Sequence, residues 1–300
     1  MGKIKWKLRN VVLSGLLFFL CFNLLGQRKE VKITAKKITD NIYMLQGQGG
    51  NIGLFVGNKS VFMIDDQFAP LTNKILAKVK EISDKPIKYL VNTHWHGDHT
   101  GGNENMRKHD VLIFSQENVR KRMSTDQIVK GRLKKASPKE ALPVITYTND
   151  MNFHIDGEDI LVSHVHNAHT DGDSHIYFLN SNVIHMGDTY FQGKFPFIDL
   201  DSGGSINGYI ASIDKVLLMS NDKTVIIPGH RGLSTKEELK VYRKMLVTLR
   251  DRVQKNIEKG KTLTEVSKDE DITKEYKEEY GGWFISAKEM RETIYKSLKQ

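Results

Sequence analysis

The chain contains a single cysteine, Cys21, among its 300 residues. No disulfide can therefore form within it, and no set of thiolates can hold a structural zinc. Internal repeats, low-complexity tracts and any obvious linker are also missing, which leaves one continuous domain after the N-terminal segment. Apolar runs long enough to matter in a membrane are scarce. Only Val11 to Leu25 qualifies, broken by Ser14, Gly15 and Asn23, so a multi-span membrane protein is excluded. A composition of 39% hydrophobic, 27% charged and 9% aromatic residues excludes a disordered or collagen-like chain. The basic excess is modest. Lys3, Lys5, Lys7 and Arg9 supply four of the nine net positive charges, and the remaining balance does not argue for nucleic acid. The run Arg120, Lys121, Arg122, Lys130, Arg132, Lys134 and Lys135 reads as a solvated face.

The N-terminus has the order of an export signal: basic residues 3–9, an apolar stretch short for a membrane span, and polar chain from Gln27. Cleavage after the small residue Gly26 gives residues 1–26 as a signal peptide and 27–300 as the mature domain, a periplasmic or secreted protein free of cysteine. A retained anchor is the alternative, and membrane contact is expected only through this segment if it is uncleaved. Lipid attachment at Cys21 is disfavoured by the large Leu20 before it.

Beyond residue 30, strands and helices intersperse. Val31 to Leu45 reads as strand broken at Asp40-Asn41, and Ile52–Val56 and Ser60–Ile64 as strands joined at Gly57-Asn58. Pro70 to Ile82 reads as a helix with Ile75, Leu76, Val79 and Ile82 on one face. Short strands follow at Ile87–Val91 and Val111–Phe114, then helix and loop over 115–140. Strands resume at Val144–Tyr147, Ile160–Val165, Ile176–Leu179, Val183–Met186 and Thr224–Ile227. Helices are expected at Ile206–Met219, from a capping box at Ser234-Thr-Lys-Glu237 onward, and at Ser286–Leu298. The pattern is that of a single α/β domain.

The informative residues are histidines. Thr93-His94-Trp95-His96-Gly97-Asp98-His99 places four potential ligands within six residues, directly after a strand. In an extended chain His94 and His96 point the same way, and Asp98 and His99 can turn toward a second point nearby. Imidazole with carboxylate suits zinc and related divalent metals. Further candidates stand near later strand ends: His169 in Ala-His-Thr-Asp-Gly-Asp173, Asp188 in Met-Gly-Asp-Thr-Tyr-Phe191, and His230 in Pro-Gly-His-Arg231. Asp65 closes the strand ending at Ile64. His154, His175 and His185 read as core or surface positions and His109 as part of a solvated turn. His164 and His166 lie close enough to His169 to compete with it, but only His169 precedes Thr-x-Gly-Asp. Trp95 either walls the site or packs.

His94-x-His96-x-Asp98-His99 resembles the signature of the metallo-β-lactamase superfamily, and the later motifs occur in that family's order. The resemblance implies a four-layer αββα metallo-β-lactamase sandwich and a binuclear site of two Zn2+ per chain. His94, His96 and His169 would hold the first ion and Asp98, His99 and His230 the second, with Asp188 between them. Asp98 is also the candidate catalytic residue, and Asp65 would orient a ligand. The chemistry implied is hydrolysis of a small molecule by water acidified on the metal, which needs no Ser or Cys nucleophile. The absence of cysteine after residue 21 sets the chain apart from the lactamases that use one. The Gly-Asp-x-x-Phe form around Asp188 resembles thioesterase, lactonase and phosphodiesterase branches. A cyclic amide such as a β-lactam is the first substrate candidate, a lactone or thioester the second, and iron-dependent oxidoreductase chemistry on the same cradle the third.

The segment Gln192 to Ser205 reads as a loop over the site or as a tightly turned structural loop. Lys194, Ser202, Ser205 and Asn207 are its candidates for binding a substrate carboxylate or oxyanion. Phe195 and Phe197 are candidates for an apolar side group. Tyr280-Gly-Gly-Trp-Phe284 reads as a packing clamp for the last helix in preference to a substrate contact.

Overall fold

The computed structural model describes residues 30–300, and residues 1–26, expected to be an export signal and including Cys21, lie outside them. Short strands build a first sheet from β1 (Thr34–Lys37), β2 (Ile42–Gln46), β3 (Ile52–Val56), β4 (Val61–Ile64), β5 (Ile87–Asn92) and β6 (Leu112–Gln116), side by side in that order. The chain then leaves the sheet for a hairpin, β7 (Gln127–Val129) and β8 (Arg132–Lys134), and returns to add β9 (Ile145–Tyr147) beside β6. β1 to β4 pair antiparallel, whereas β4, β5, β6 and β9 pair parallel. β4 is buried along its whole length, as expected for a strand covered on both faces.

The second sheet runs β10 (Asp150–Ile155), β11 (Glu158–His164), β12 (Ser174–Phe178), β13 (Val183–His185), β14 (Val225–Ile227) and β15 (Ser234–Thr235). All its pairs are antiparallel except β13 with β14. Ile42, Phe55, Phe62, Val91 and Phe114 of the first sheet meet Ile160, Val162, Ile176, Phe178 and Ile227 of the second in one apolar layer. Period-2 alternation fixes that choice of face, because a slip of one residue would turn each row outward.

Helices cover the outer faces. α1 (Thr72–Ile82) buries Ile75 and Val79, while α2 (Gly97–Thr100), α3 (Asn103–Arg107) and α4 (Glu117–Met123) follow the strands of the first sheet. On the far side α5 (Ile206–Met219), α6 (Lys236–Glu258), α7 (Leu263–Lys268), α8 (Lys277–Tyr280) and α9 (Ala287–Lys299) are the remaining α-helices. Ile210, Ile213, Leu246, Leu249 and Ile294 from three of these pack on Ile184 and Ile226 of the second sheet. The result is the αββα sandwich.

Several local features differ from expectation, among them the short helices α2, α3, α7 and α8, which the sequence reading did not include. β10 was not foreseen, although Met151, Phe153 and Ile155 alternate with polar residues along it. The β7–β8 hairpin occupies part of a segment read as loop; Lys130 (φ 49°) and Gly131 (φ 72°) give its turn the left-handed backbone of a two-residue hairpin. The box capping α6 sits one residue later than expected, on Thr235 and Glu238, because Ser234 is held in β15 opposite Ile226.

Candidate metal centre

The site lies where strand ends of both sheets meet. β5 delivers His94, His96, Asp98 and His99; the β11–β12 loop brings His169, the turn after β13 brings Asp188, and the turn after β14 brings His230. Backbone bonds join these loops: Gly50 N–H donates to the Asp98 carbonyl (3.0 Å) and Asn51 N–H to that of Gly229 (2.7 Å). Gly50 backs directly onto the His99 ring, and Gly229 onto Asp188 Oδ1, so a Cβ at either position would occupy the ligand's own space.

Two groups of side chains here could each hold a metal ion: His94, His96, His169 and Asp188, and Asp98, His99, Asp188 and His230, with ligand atoms within 4.8 Å of one another in each group. Asp188 belongs to both. Its Oδ2 lies 3.9 Å from His94 Nε2 and 3.7 Å from His169 Nε2. Its Oδ1 lies 3.0 Å from His99 Nε2 and 3.3 Å from His230 Nε2. Asp98 Oδ2 is 3.3 Å from His230 Nε2, and His96 Nδ1 is 2.8 Å from His169 Nε2.

The nitrogens turned away from the centre are engaged. His99 Nδ1 meets Asp65 Oδ2 at 2.7 Å, His169 Nδ1 the Phe197 carbonyl at 2.7 Å, and His96 Nε2 Asp199 Oδ2 at 2.9 Å. His94 Nδ1 lies 3.0 Å from the Thr93 hydroxyl, which donates to Asp65 Oδ2 at 2.7 Å. That relay leaves His94 Nδ1 as the donor and directs its Nε2 lone pair inward. Asp65 thus orients two rings, from a backbone held at φ 59°. Meanwhile His94 Nε2 is buried with no hydrogen-bond partner among the described residues, and His99 Nε2 and Asp188 Oδ1, although 3.0 Å apart as an ion pair, are not aligned for a hydrogen bond. Buried polar atoms are normally satisfied. Convergent orphans on a His/Asp donor set fit a metal ion.

The two groups differ in charge. Burial, with the neighbouring His99, pushes His94 well below its ordinary 6.5, and burial with His96 beside it brings His169 down to about 4. For His99 burial works against the proton, but Asp188, Asp65 and Asp98 outweigh it and raise the ring well above 6.5. His230 follows the same logic through Asp188 and Asp98 and rises to about 9. Asp98 and Asp188 are held low by these same histidines against the cost of burial.

Above the centre opens a cavity of about 580 Å³, lined by His96, Asp98, Asp188 and His230 below and by Val129, Lys134, Phe191, Phe197, Trp283 and Phe284 around it. Its walls are largely apolar and aromatic, as small-molecule sites usually are.

The superfamily's sequence profile, described as "Metallo-beta-lactamase superfamily", matches residues 45–230. The chain belongs to that superfamily. Among its curated relatives, the probable metallo-hydrolase YqgX of Bacillus subtilis is 27% identical over 191 residues, 60% of this chain and 87% of that protein. Hydroxyacylglutathione hydrolase GloC of Haemophilus influenzae is 28% identical over 172 residues, 54% of this chain and 76% of its own. A local match to the linear primary-alkylsulfatase of a Pseudomonas species, 41% over 54 residues, takes in 16% of this chain and only 10% of that enzyme. The metallo-beta-lactamase from Pontibacter korlensis shares the fold at TM-score 0.61 and 18% identity, covering 72% of this chain and 99% of that one. The chain is therefore a metallo-hydrolase of this superfamily.

The four substrate-contact candidates are placed elsewhere. Lys194 Nζ donates to the carbonyls of Glu279 (3.1 Å) and Gly281 (2.9 Å), tying its loop to the C-terminal segment. Ser202 is buried in a turn capped by Asp199, Ser205 caps α5 through Gly208 N–H, and Asn207 is exposed on the first turn of α5. None of them lines the cavity. Phe195 is buried against Tyr280, whereas Phe197 reaches the cavity. Trp95 packs with Val119, Met123 and Leu142 beneath the site. Trp283 and Phe284, read as part of a packing clamp, instead line the cavity with 41% and 53% of their surface exposed.

His175 and His185 are buried, bonded to the Thr189 hydroxyl and the Asn51 carbonyl respectively, while His154 and His109 are exposed. His164 turns to the Asp173 carbonyl, outside both ligand groups. Asp199 and Lys134 were missed. Asp199 carried a usable signal, since a ligand histidine commonly gives its second nitrogen to a carboxylate and this one stands in the loop already suspected of covering the site.

Proposed function

We propose that the chain is an exported hydrolase that uses two zinc ions to open an amide- or ester-type carbonyl, with β-lactams as the first substrate class. The observation that supports this most is the convergence of seven His and Asp side chains on the floor of an apolar-walled cavity. His94, His96 and His169 would hold one ion, Asp98, His99 and His230 the other, and the two oxygens of Asp188 would lie between them. When bound, the ions supply Lewis acidity and an acidified water at neutral pH. Asp65, Thr93 and Asp199 keep the rings in the ligating tautomer. Asp98 is ionised and faces the cavity, so its carboxylate can accept a hydrogen bond from an attacking water and orient it. Phe191 and Phe197 exclude bulk water and hold an apolar part of the substrate.

A thioester is the second reading, favoured by the match to hydroxyacylglutathione hydrolase GloC and by the Gly187-Asp188 turn. The test is a hydrolysis screen over β-lactams, lactones, thioesters and phosphodiesters, with metal content measured on protein purified without added metal. Two zinc ions per chain and chelator-sensitive β-lactam turnover are expected. Thioester turnover alone selects the second reading, and iron with oxygen consumption rejects both. Asp188→Asn should lose the second ion and largely keep the first; two tightly held ions in both proteins would remove Asp188 from the site. Export predicts a mature terminus near Gln27 by mass spectrometry, and an intact Met1 in a membrane fraction contradicts it.

A further inference from the structure

Of the described side chains lining the cavity, Lys134 is the one lysine or arginine; burial lowers its ammonium to about 8, which leaves it charged at neutral pH. It stands at the end of β8, opposite Gln127. Side chains alternate along a strand, so Gln127, Val129, Arg132 and Lys134 share one face of the hairpin, while Ile128 and Leu133 project from the other and are exposed. Val129 and Lys134 of the shared face line the cavity. Lys134 Nζ lies 4.2 Å from the centre of the Trp95 ring and donates to the Trp95 carbonyl at 3.3 Å. An ammonium has three donors, and among the described residues this one makes no ion pair with a carboxylate; its polar partner there is the Trp95 carbonyl. Its nearest acidic influences are Asp98 and Asp199, the first committed to the ligand group and the second to His96.

The hairpin is braced from its other end. Lys130 in its turn lies 4.6 Å from the centre of the Phe284 ring and 5.4 Å from that of Phe197, and pairs with Glu289 of α9 at 3.3 Å. Hairpin and C-terminal segment therefore form facing walls: a pinned cation on one, Trp283 and Phe284 on the other. Phe284 and Trp283 lie beyond residue 230, where the superfamily match ends.

We propose that this is a substrate-recognition subsite in which Lys134 binds a carboxylate of the substrate while Phe197, Trp283 and Phe284 hold an apolar body attached to it. The proposal rests on the functional reading above only for placing the reacting bond over Asp98 and Asp188. An ammonium already fixed in position loses little freedom on binding, and apolar walls strengthen its attraction for an anion. A merely structural Lys134, serving to cover Trp95, would not distinguish charged from neutral compounds.

Binding to the metal-loaded protein, followed by calorimetry, tests this without turnover. The probes are 4-phenylbutyrate and its neutral amide, against wild type, Lys134→Gln and Lys134→Arg. Any preference of the metal ions for carboxylate is common to all three proteins and cancels. We expect the carboxylate-over-amide preference to fall about tenfold or more in Lys134→Gln, the usual size of a lost charge-assisted bond, and to persist in Lys134→Arg. An unchanged preference in Lys134→Gln, or equal weakening of both probes, overturns the subsite. Should Lys134→Gln fail to fold, 4-phenylbutylamine on wild type decides: it must bind more weakly than the amide, and binding as tight as the carboxylate's overturns the proposal. A failed β-lactam screen with intact Lys134-dependent binding would reject the reaction and keep the subsite.

Discussion

Residues at the centre carry different proton loads before any metal arrives. His94 and His169 are kept uncharged, whereas His99 and His230 hold protons paired to Asp98 and Asp188. A metal ion must displace those protons to bind the second group. Affinity there should therefore climb as pH rises through about 9, where His230 loses its proton, and further as His99 gives up its own, while the first group changes little above neutrality. Calorimetric metal titrations in two buffers of different ionisation heat read the protons released. Equal release at both steps would refute the asymmetry. The convergence of the candidate ligand histidines was legible in the sequence because a strand end presents consecutive ligand types and the later ones stand at strand ends too. Asp199 and Lys134 were not, since their partners are brought near by loops whose course depends on the whole sandwich.

At the scale of the element, most strands and helices follow from periodicity and caps. α5 runs over the expected Ile206–Met219, with Ser205 accepting from the Gly208 N–H at 2.9 Å. Loss of such a cap typically costs about 1 kcal/mol. Ser205→Ala should lower unfolding free energy in urea by about that amount and leave KM unaltered. A raised KM at unchanged stability would return Ser205 to the substrate. The hairpin escaped the sequence reading because its strands are three residues each, too short for a period to show. Trp283 and Phe284 were hard to place for another reason: aromatic residues before a helix look the same whether they pack inward or line a cavity.

For the whole molecule, burial of histidine sets an acid limit. His175 and His185 stay uncharged inside the sandwich, burial lowering them from 6.5 to about 3 and about 4. The unfolded chain takes up their protons near 6.5 and the folded chain does not. They are neutral in both states above that pH; as pH falls below it, each removes up to about 1.4 kcal/mol of stability per unit until its folded value is reached. Thermal melts of the metal-free protein between pH 7 and 4 should show this decline, and His175→Gln should flatten it by one proton's worth. An identical slope in that variant would refute the assignment.

The ligand groups take His94 to His99 from the first sheet and His169, Asp188 and His230 from the second. An occupied centre is thus a clamp across the sandwich, and mass action links its occupancy to folding. Above the dissociation constant, each tenfold rise in free metal should add about 1.4 kcal/mol per site to the unfolding free energy, provided the unfolded chain binds metal weakly. The melting temperature then becomes a gauge of metal affinity that can be read without any substrate.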